Sequence, residues 1–526
     1  MTRWFRALLA FGLLFGLANT AEAVTRGGTL VYARYADSLF LDPVFNDANV
    51  DIWILTNIYD TLLQPSPDGK GVTPGLATEY QVSDDGLTLT LKLREGIKFS
   101  DGSPITVDDV KWSLDRARNP NNGIWGFTLA SVESIETKAA DGVVLHLKAP
   151  DPTLVAALAT FNAAILPQKL VNAEAGATDE EKAKAFAEHP VGSGAFKFES
   201  WQRGTEMVLK RNPNYWQMGE DGKPLPYLDE VRFPVIPDDA TRILKLQAGE
   251  VQGAEFIPYA RVAELKNDPN LDMILFPSTR VQFLTVNVRP TLKDGKPNVL
   301  ADVKVRQALN YAIDKATLAK IVTFDVGTPV KSFMSSATPM VIDNGPVYPY
   351  DPEKAKALLK EAGVAEGTEV WSIGLAGSAD ETAILTTIQQ MWQQVGVKLS
   401  IETLDNATRT ERYRAGDFQM RVSAWTDDIN DPSEITSYFA YFPNIESLHS
   451  GWQDKAVDDL FTKSQTEMDV AKRTEMYKQI QDTYIAAAPI MFLYESPYPV
   501  ALRKNVKGFV QIPLGNNIFA GAYLEQ

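Results

Sequence analysis

Cysteine is absent from this 526-residue chain. Disulfides, thiolate metal sites and cysteine nucleophiles are therefore excluded. A lipid anchor on a cleavage-site cysteine is excluded as well. Histidine is scarce, with only His146, His189 and His449 present. None has a second histidine at metal-ligand spacing, and there is no HExxH. His146 falls in an alternating segment on the face opposite Leu145 and Leu147, where solvent is expected. His189 precedes Pro190 in a turn, and His449 lies in a polar loop. No GxSxG elbow, Walker A loop or GxGxxG occurs. Low-complexity tracts and solenoid repeats are missing too. Positive charge is in deficit, 51 Lys+Arg against 67 Asp+Glu, for a net charge of -16. That balance opposes binding to nucleic acid or anionic lipid. Paired carboxylates, the machinery of glycosidases, are the only catalytic option left open. Nothing positive supports them, so no enzyme activity and no cofactor are expected.

Long apolar runs are also missing, with one exception. Residues 7–18 are almost unbroken in their apolarity, behind Arg3 and Arg6 and ahead of Ala21-Glu22-Ala23. This order is that of a secretory signal over residues 1–23, with the mature chain starting at Val24. The run is shorter than the roughly 20 residues that span a bilayer, so no membrane insertion of the mature chain is expected. An exported chain without an anchor fits a periplasm.

What is present is a mixture of strand and helix patterns. The length exceeds the roughly 250–300 residues that one core serves, so two or three domains are expected. Leu87, Leu89, Leu91 and Leu93 alternate with polar residues, as in a half-buried strand. Asp141-Gly142 marks a hairpin, with Val143, Leu145 and Leu147 on one face. Asp351 and Pro352 read as cap and first residue of a helix closed by Gly363. Val305, Ala308, Leu309, Ala312 and Ile313 form a helical stripe. A further helix is expected over residues 474–488, stopped by Pro489.

Residues 75–116 carry an ordered set of elements. Gly75-Leu76-Ala77 precedes a Ser83-Asp84-Asp85-Gly86 turn. The strand after it ends in Leu93-Arg94-Glu95-Gly96, followed by Lys98-Phe99-Ser100-Asp101-Gly102. A helix then starts near Thr106. This order resembles the signature segment of the family 5 extracellular solute-binding proteins, the peptide-binding receptors of ABC importers. The resemblance continues through residues 190–198, Arg211-Asn212-Pro213-Asn214-Tyr215-Trp216, and residues 303–315. Gly192 and Gly194 by themselves read as turn glycines.

The resemblance implies an α/β, periplasmic binding protein-like fold: two lobes built from three domains, with a hinge and a central cleft. The first domain would combine residues 24–60, 190–275 and 489–526. The second would span 61–189 and the third 276–488. Hinge crossings are expected at 275–280 and 489–494. The implied function is a periplasmic substrate-binding component that captures a peptide or similar amine-bearing solute. It would act as a monomer and deliver its ligand to an inner-membrane permease with two ATPases. Binding of an opine or oligosaccharide, a sensor or chaperone role on the same fold, and a secreted carboxylate-pair hydrolase are the alternatives. A nickel complex is disfavoured, because no His or Cys lies near the candidate site.

That site is the segment from Trp425 to Pro432, which resembles the family's Trp-x-x-Asp-x-x-x-Pro stretch. The match places on Asp428 the aspartate that pairs with a peptide's ammonium group. Trp425, Asp427 and Asn430 are candidates beside it. Trp425 also reads as core, and Asp427 as a surface or supporting group. Asp431, Pro432 and Glu434 have the spacing of a helix start, with Asp431 as cap. Some oligopeptide binders carry an arginine six residues before the key aspartate. Here that position is Val422, with Arg421 adjacent, so a peptide's carboxylate has no assigned partner. Asn46 and Asn49, in a loop that borders the cleft in the family, complete the candidates. Their other reading is a polar connector.

Overall fold

The computed structural model describes residues 24–46, 48–343 and 347–525. The expected signal, residues 1–23, lies outside the described residues. The leucine alternation forms the strand Thr88–Leu93, with Leu89, Leu91 and Leu93 inward and Thr90 and Lys92 outward. It pairs with Ala77–Val82 and Gly142–Leu147, and Val132–Lys138 completes a four-stranded sheet. The helix Val107–Ala117 covers this sheet. Thr106 and Asp109 form a full capping box at its start, which satisfies two otherwise orphaned N–H groups. Leu89, Leu91, Leu145, Val110 and Leu114 share the resulting core.

A seven-stranded sheet gathers distant parts of the chain. Its order is Leu271–Phe276, Tyr498–Arg503, Gly253–Ala254, Thr29–Ala33, Glu230–Pro234, Glu206–Arg211, Phe196–Gln202. A six-stranded sheet contains Thr328–Pro329, Ile490–Glu495, Val281–Val286, Met420–Trp425, Thr368–Leu375 and Val397–Leu404, in that order. The chain passes between these two sheets at residues 277–280 and again at 496–497. The passages are bonded to each other: Ser278 Oγ donates to Ser496 O, and Ser496 N to Arg280 O.

The second passage differs from the expectation of 489–494. Strand Ile490–Glu495 pairs with Val281–Val286 and so remains in the six-stranded sheet. The reason is its apolar run, Ile490 to Leu493, which is buried throughout. A strand buried on both faces needs neighbours and cover, not a linker. The helix before it runs Val470–Ala487, longer at its start than the sequence suggested.

The expected helix ends appear. Asp351 accepts from Lys354 N, Pro352 opens the helix Pro352–Glu361, and Gly363 adopts φ 71°. Gly192 and Gly194 have another role than the turn expected of them. A Cβ on Gly192 would stand 2.0 Å from Ile58 O, and one on Gly194 2.5 Å from Asn57 O. They are glycines because the end of the helix Asn49–Ile58 passes against them, bonded through Gly194 N to Ile58 O.

Candidate functional site

Strand Met420–Trp425 ends opposite Val281, and the chain then leaves the sheet for the helix Ser433–Phe439. The turn between them brings Asp427, Asp428 and Glu434 together. Trp425 is half-buried, with its ring 4.6 Å from Tyr438 and 5.8 Å from Phe439. Its Nε1 donates to Asp427 Oδ1 at 3.0 Å.

Asp427 is not at the surface; it is wholly buried. Thr338 Oγ1 donates to its other oxygen at 2.7 Å, and its own N–H donates to Thr279 Oγ1 at 2.9 Å. Burial pushes its carboxyl up to about 7, against the pull of these two side-chain donors. Asp427 thus holds the Trp425 ring and ties the turn to the first passage between the sheets.

Asp428 is half-buried. Among the described residues its carboxylate has no hydrogen bond and no ion pair; burial alone pushes it up to about 7. Its N–H and that of Ile429 donate to Glu434 Oε2 at 2.9 and 3.0 Å. Burial, then the charges of Asp428 and Asp427, raise the Glu434 carboxyl well above its ordinary range. Charges this close and this dry cannot all ionise without a cation. Glu434 also lines a cleft of about 630 Å³. Ile429 and Tyr438 share its wall, with Phe127 and Lys148 on the facing side.

Asp431 is more than a cap. Its oxygens receive the fork of Arg473, Oδ2 from Nη1 at 2.6 Å and Oδ1 from Nη2 at 2.7 Å. The helix starts at Ser433, and its N-cap position, Pro432, has no side-chain bond. Asp431 Oδ1 still accepts from Ser433 N at 2.8 Å. The main task of Asp431 is to neutralise an arginine buried on the helix Val470–Ala487. Asn430 donates from Nδ2 to Gly71 O at 2.8 Å, reaching to the edge of the hairpin Leu63–Pro65 and Val72–Pro74. Its buried Oδ1 has no hydrogen-bond partner among the described residues.

The structure does not bring Asn46 into this group. Asn46 Nδ2 donates to Phe40 O and Asp51 Oδ2, and its Oδ1 accepts from Ala48 N. These bonds spend its side chain on shaping the loop before the helix Asn49–Ile58. Asn49 is exposed at the start of that helix. A second cavity, of about 530 Å³, adjoins Asp60, whose carboxyl burial pushes up to about 7. Trp216 Nε1 and Gln64 Nε2 satisfy it. No three His, Cys, Asp or Glu side chains among the described residues are placed to hold a metal ion.

Sequence reading missed the inward turn of Glu434, because a capping-box spacing looks the same whether the acid faces the turn or water. Arg473 left a clearer signal. It lies on the apolar stripe of Met476, Tyr477 and Ile480, and a charge in such a stripe requires a buried partner.

Fold and turn together define an extracellular solute-binding protein. The chain belongs to family 5 of that class: residues 71–446 match the model described as "Bacterial extracellular solute-binding proteins, family 5 Middle". It is 31% identical to the dipeptide-binding protein of Escherichia coli (strain K12), over 98% of each chain. It is 32% identical to the glutathione-binding protein GsiB of Escherichia coli O1:K1 / APEC, over 96% of each. Among solved structures it resembles the ABC transporter-associated periplasmic binding protein DppA of Helicobacter pylori in complex with peptide STSA. The identity is 25% and the TM-score 0.77, over 95% of this chain and 99% of that one. The two-lobed periplasmic binding protein fold follows.

Proposed function

We propose that this protein is the periplasmic receptor of an ABC importer for a short peptide or similar amine-bearing solute. The observation that carries this reading is Asp428. Among the described residues it is a half-buried carboxylate with no cation of its own, set beside Glu434, which two backbone N–H groups hold. A ligand ammonium supplies the missing charge. The names of the relatives, binders of dipeptide and of glutathione, support the same chemistry. The chain is exported, cleaved after Ala23 and unanchored. One lobe carries the seven- and four-stranded sheets and the other the six-stranded sheet. They close about the ligand by bending at 277–280 and 496–497, and the permease reads the closed form. Asn430, which reaches Gly71 across the lobes, favours closure.

Calorimetry with L-Ala-L-Phe tests the reading. Asp428→Asn is expected to weaken binding about a hundredfold, the scale of stripping one partner from a buried pair. N-acetylation of the dipeptide is expected to weaken wild-type binding strongly and the variant's much less. Normal binding by Asp428→Asn refutes the assignment.

A further inference from the structure

Strand Met420–Trp425 belongs to the six-stranded sheet, and the turn after it carries Asn430. Asn430 nevertheless bonds to the other part of the chain. Its Nδ2 donates to Gly71 O at 2.8 Å. Gly71 lies in the tip that joins the strands Leu63–Pro65 and Val72–Pro74. Among the described residues, this is the side-chain hydrogen bond that ties the part built on the six-stranded sheet to the rest, outside the two passages. The same two parts wall the cleft of about 630 Å³, which Ile429 lines on one side and Lys148 on the other. Ile429 thus faces open space while its neighbour Asn430 is bonded.

The tip holds its own shape. Gly71 O also accepts from Ser66 N at 2.9 Å, and Gly71 N donates to Ser66 Oγ at 2.9 Å. Gly69 N donates to Ser66 O at 2.9 Å, and Lys70 N to Asp68 Oδ1 at 3.1 Å. Gly69 is buried with φ 68°, and a Cβ there would stand 2.6 Å from Pro513 Cγ. The tip is therefore seated on Pro513. Pro513 is in turn tied to the first passage, because its O accepts from Thr279 N at 3.0 Å. Thr279 Oγ1 accepts from Asp427 N, on the same turn as Asn430. These contacts close a ring, from the turn through Thr279 and Pro513 to the tip and back to the turn. The link that closes it is marginal. Asn430 is 9% exposed, and its Oδ1 is buried without a hydrogen-bond partner among the described residues. An amide that satisfies its donor and strands its acceptor gains little net free energy, so such a link can make and break.

We infer that the tip 66–71, seated on Pro513, is a latch for the turn 426–432, and that Asn430 sets how much of the ligand-free protein is closed without touching the ligand. This rests on the lobe-closure part of the proposed function and not on the amine assigned to Asp428. Bending at 277–280 and 496–497 moves the turn against the tip, so the link is made in the closed form and lost in the open one. Its other members, Gly71 O, Pro513 and Thr279, are not groups assigned to the ligand. Asn430 is then a positioning residue. A latch of this kind tunes affinity through population, because the apparent Kd rises as the closed fraction falls. The choice of ligand stays with the groups that touch it.

The test is small-angle scattering and calorimetry on wild type, Asn430→Ala, Gly69→Ala and the double variant Gly69→Ala/Pro513→Ala. L-Ala-L-Phe and its N-acetyl form are the probes. Asn430→Ala removes the link from the turn. Gly69→Ala lifts the tip from its seat, and Pro513→Ala removes the Cγ and Cδ atoms that the new Cβ would meet. Without ligand, the radius of gyration is expected to be larger in both single variants than in wild type, and to return toward wild type in the double variant. Saturating dipeptide is expected to bring all four proteins to one value. Affinity falls about 2- to 10-fold in each single variant, the scale of one hydrogen bond. The penalty for acetylation stays that of wild type, because Asp428 is untouched. Melting curves establish that each variant is folded; if Gly69→Ala is not, Asn430→Ala decides alone. Equal ligand-free scattering in wild type and Asn430→Ala overturns the inference. So does an acetylation penalty that changes in Asn430→Ala, which would make Asn430 a ligand contact. If wild type is indifferent to acetylation or binds neither peptide, the amine-binding reading falls, and the ligand-free scattering still decides the latch.

Discussion

Replacing Asp431 by Asn separates its charge from its hydrogen bond. The amide oxygen still accepts from Ser433 N, as Asp431 Oδ1 does at 2.8 Å. What disappears is the counter-charge for Arg473, whose side chain is 3% exposed and which binds the aspartate through two contacts of 2.6 and 2.7 Å. Burial by itself would lower the Arg473 pKa; the Asp431 charge overrides it and raises the pKa. Breaking a buried pair by removing one partner costs about 3–5 kcal/mol. The fork geometry and the dryness of both groups place this pair within that range. With a urea slope of about 3 kcal/mol per molar, the unfolding midpoint, followed by tryptophan fluorescence, falls by about 1–1.7 M. Adding Arg473→Met removes the stranded charge, so the double variant is expected to be more stable than Asp431→Asn alone. If Asp431 were only a helix cap, Asn would replace it at almost no cost. A midpoint shift under about 0.3 M, or strictly additive losses in the double variant, refutes the buried-pair account.

Four further outcomes are expected. Affinity for L-Ala-L-Phe rises with pH up to about 7 and then levels, because Asp428 titrates near there and must lose its proton to hold an ammonium; calorimetry at pH 6 in buffers of different ionisation heat should show proton release. In the free protein the sign reverses. Carboxyls held near 7 when folded and near 3.9 when unfolded make the stability of the unliganded protein fall as pH rises from about 4 to about 7, and thermal melts across that range check it. Gly192→Ala forces a Cβ onto Ile58 O and should cost about 1–3 kcal/mol in urea unfolding, whereas a simple turn role would cost less. Saturating ligand should reduce the radius of gyration in small-angle scattering and raise the melting temperature; an unchanged scattering profile contradicts lobe closure.

The sequence by itself determined the local elements and the family. Period-two leucines made the strand Thr88–Leu93, Asp351-Pro352 with Gly363 made a helix with both ends marked, and Thr106 with Asp109 made a capping box. These are near-neighbour effects, set by backbone sterics and by bonds that span three or four residues, so they are written in adjacent letters. The ordered motifs of residues 75–116 identified the family for the same reason. Tertiary structure decided what depends on distant chain. Asp431 meets Arg473 across 42 positions, and Gly192 meets Ile58 at the end of the helix Asn49–Ile58. The Asn46 amide was bonded to Phe40 and Asp51. Glu434 was turned inward by two N–H groups of the loop before it, and strand Ile490–Glu495 was held in the six-stranded sheet by Val281–Val286. A carboxylate or an arginine has no fixed role in a sequence. Its role follows from the charges and the water that the fold leaves around it, and only the folded chain sets those.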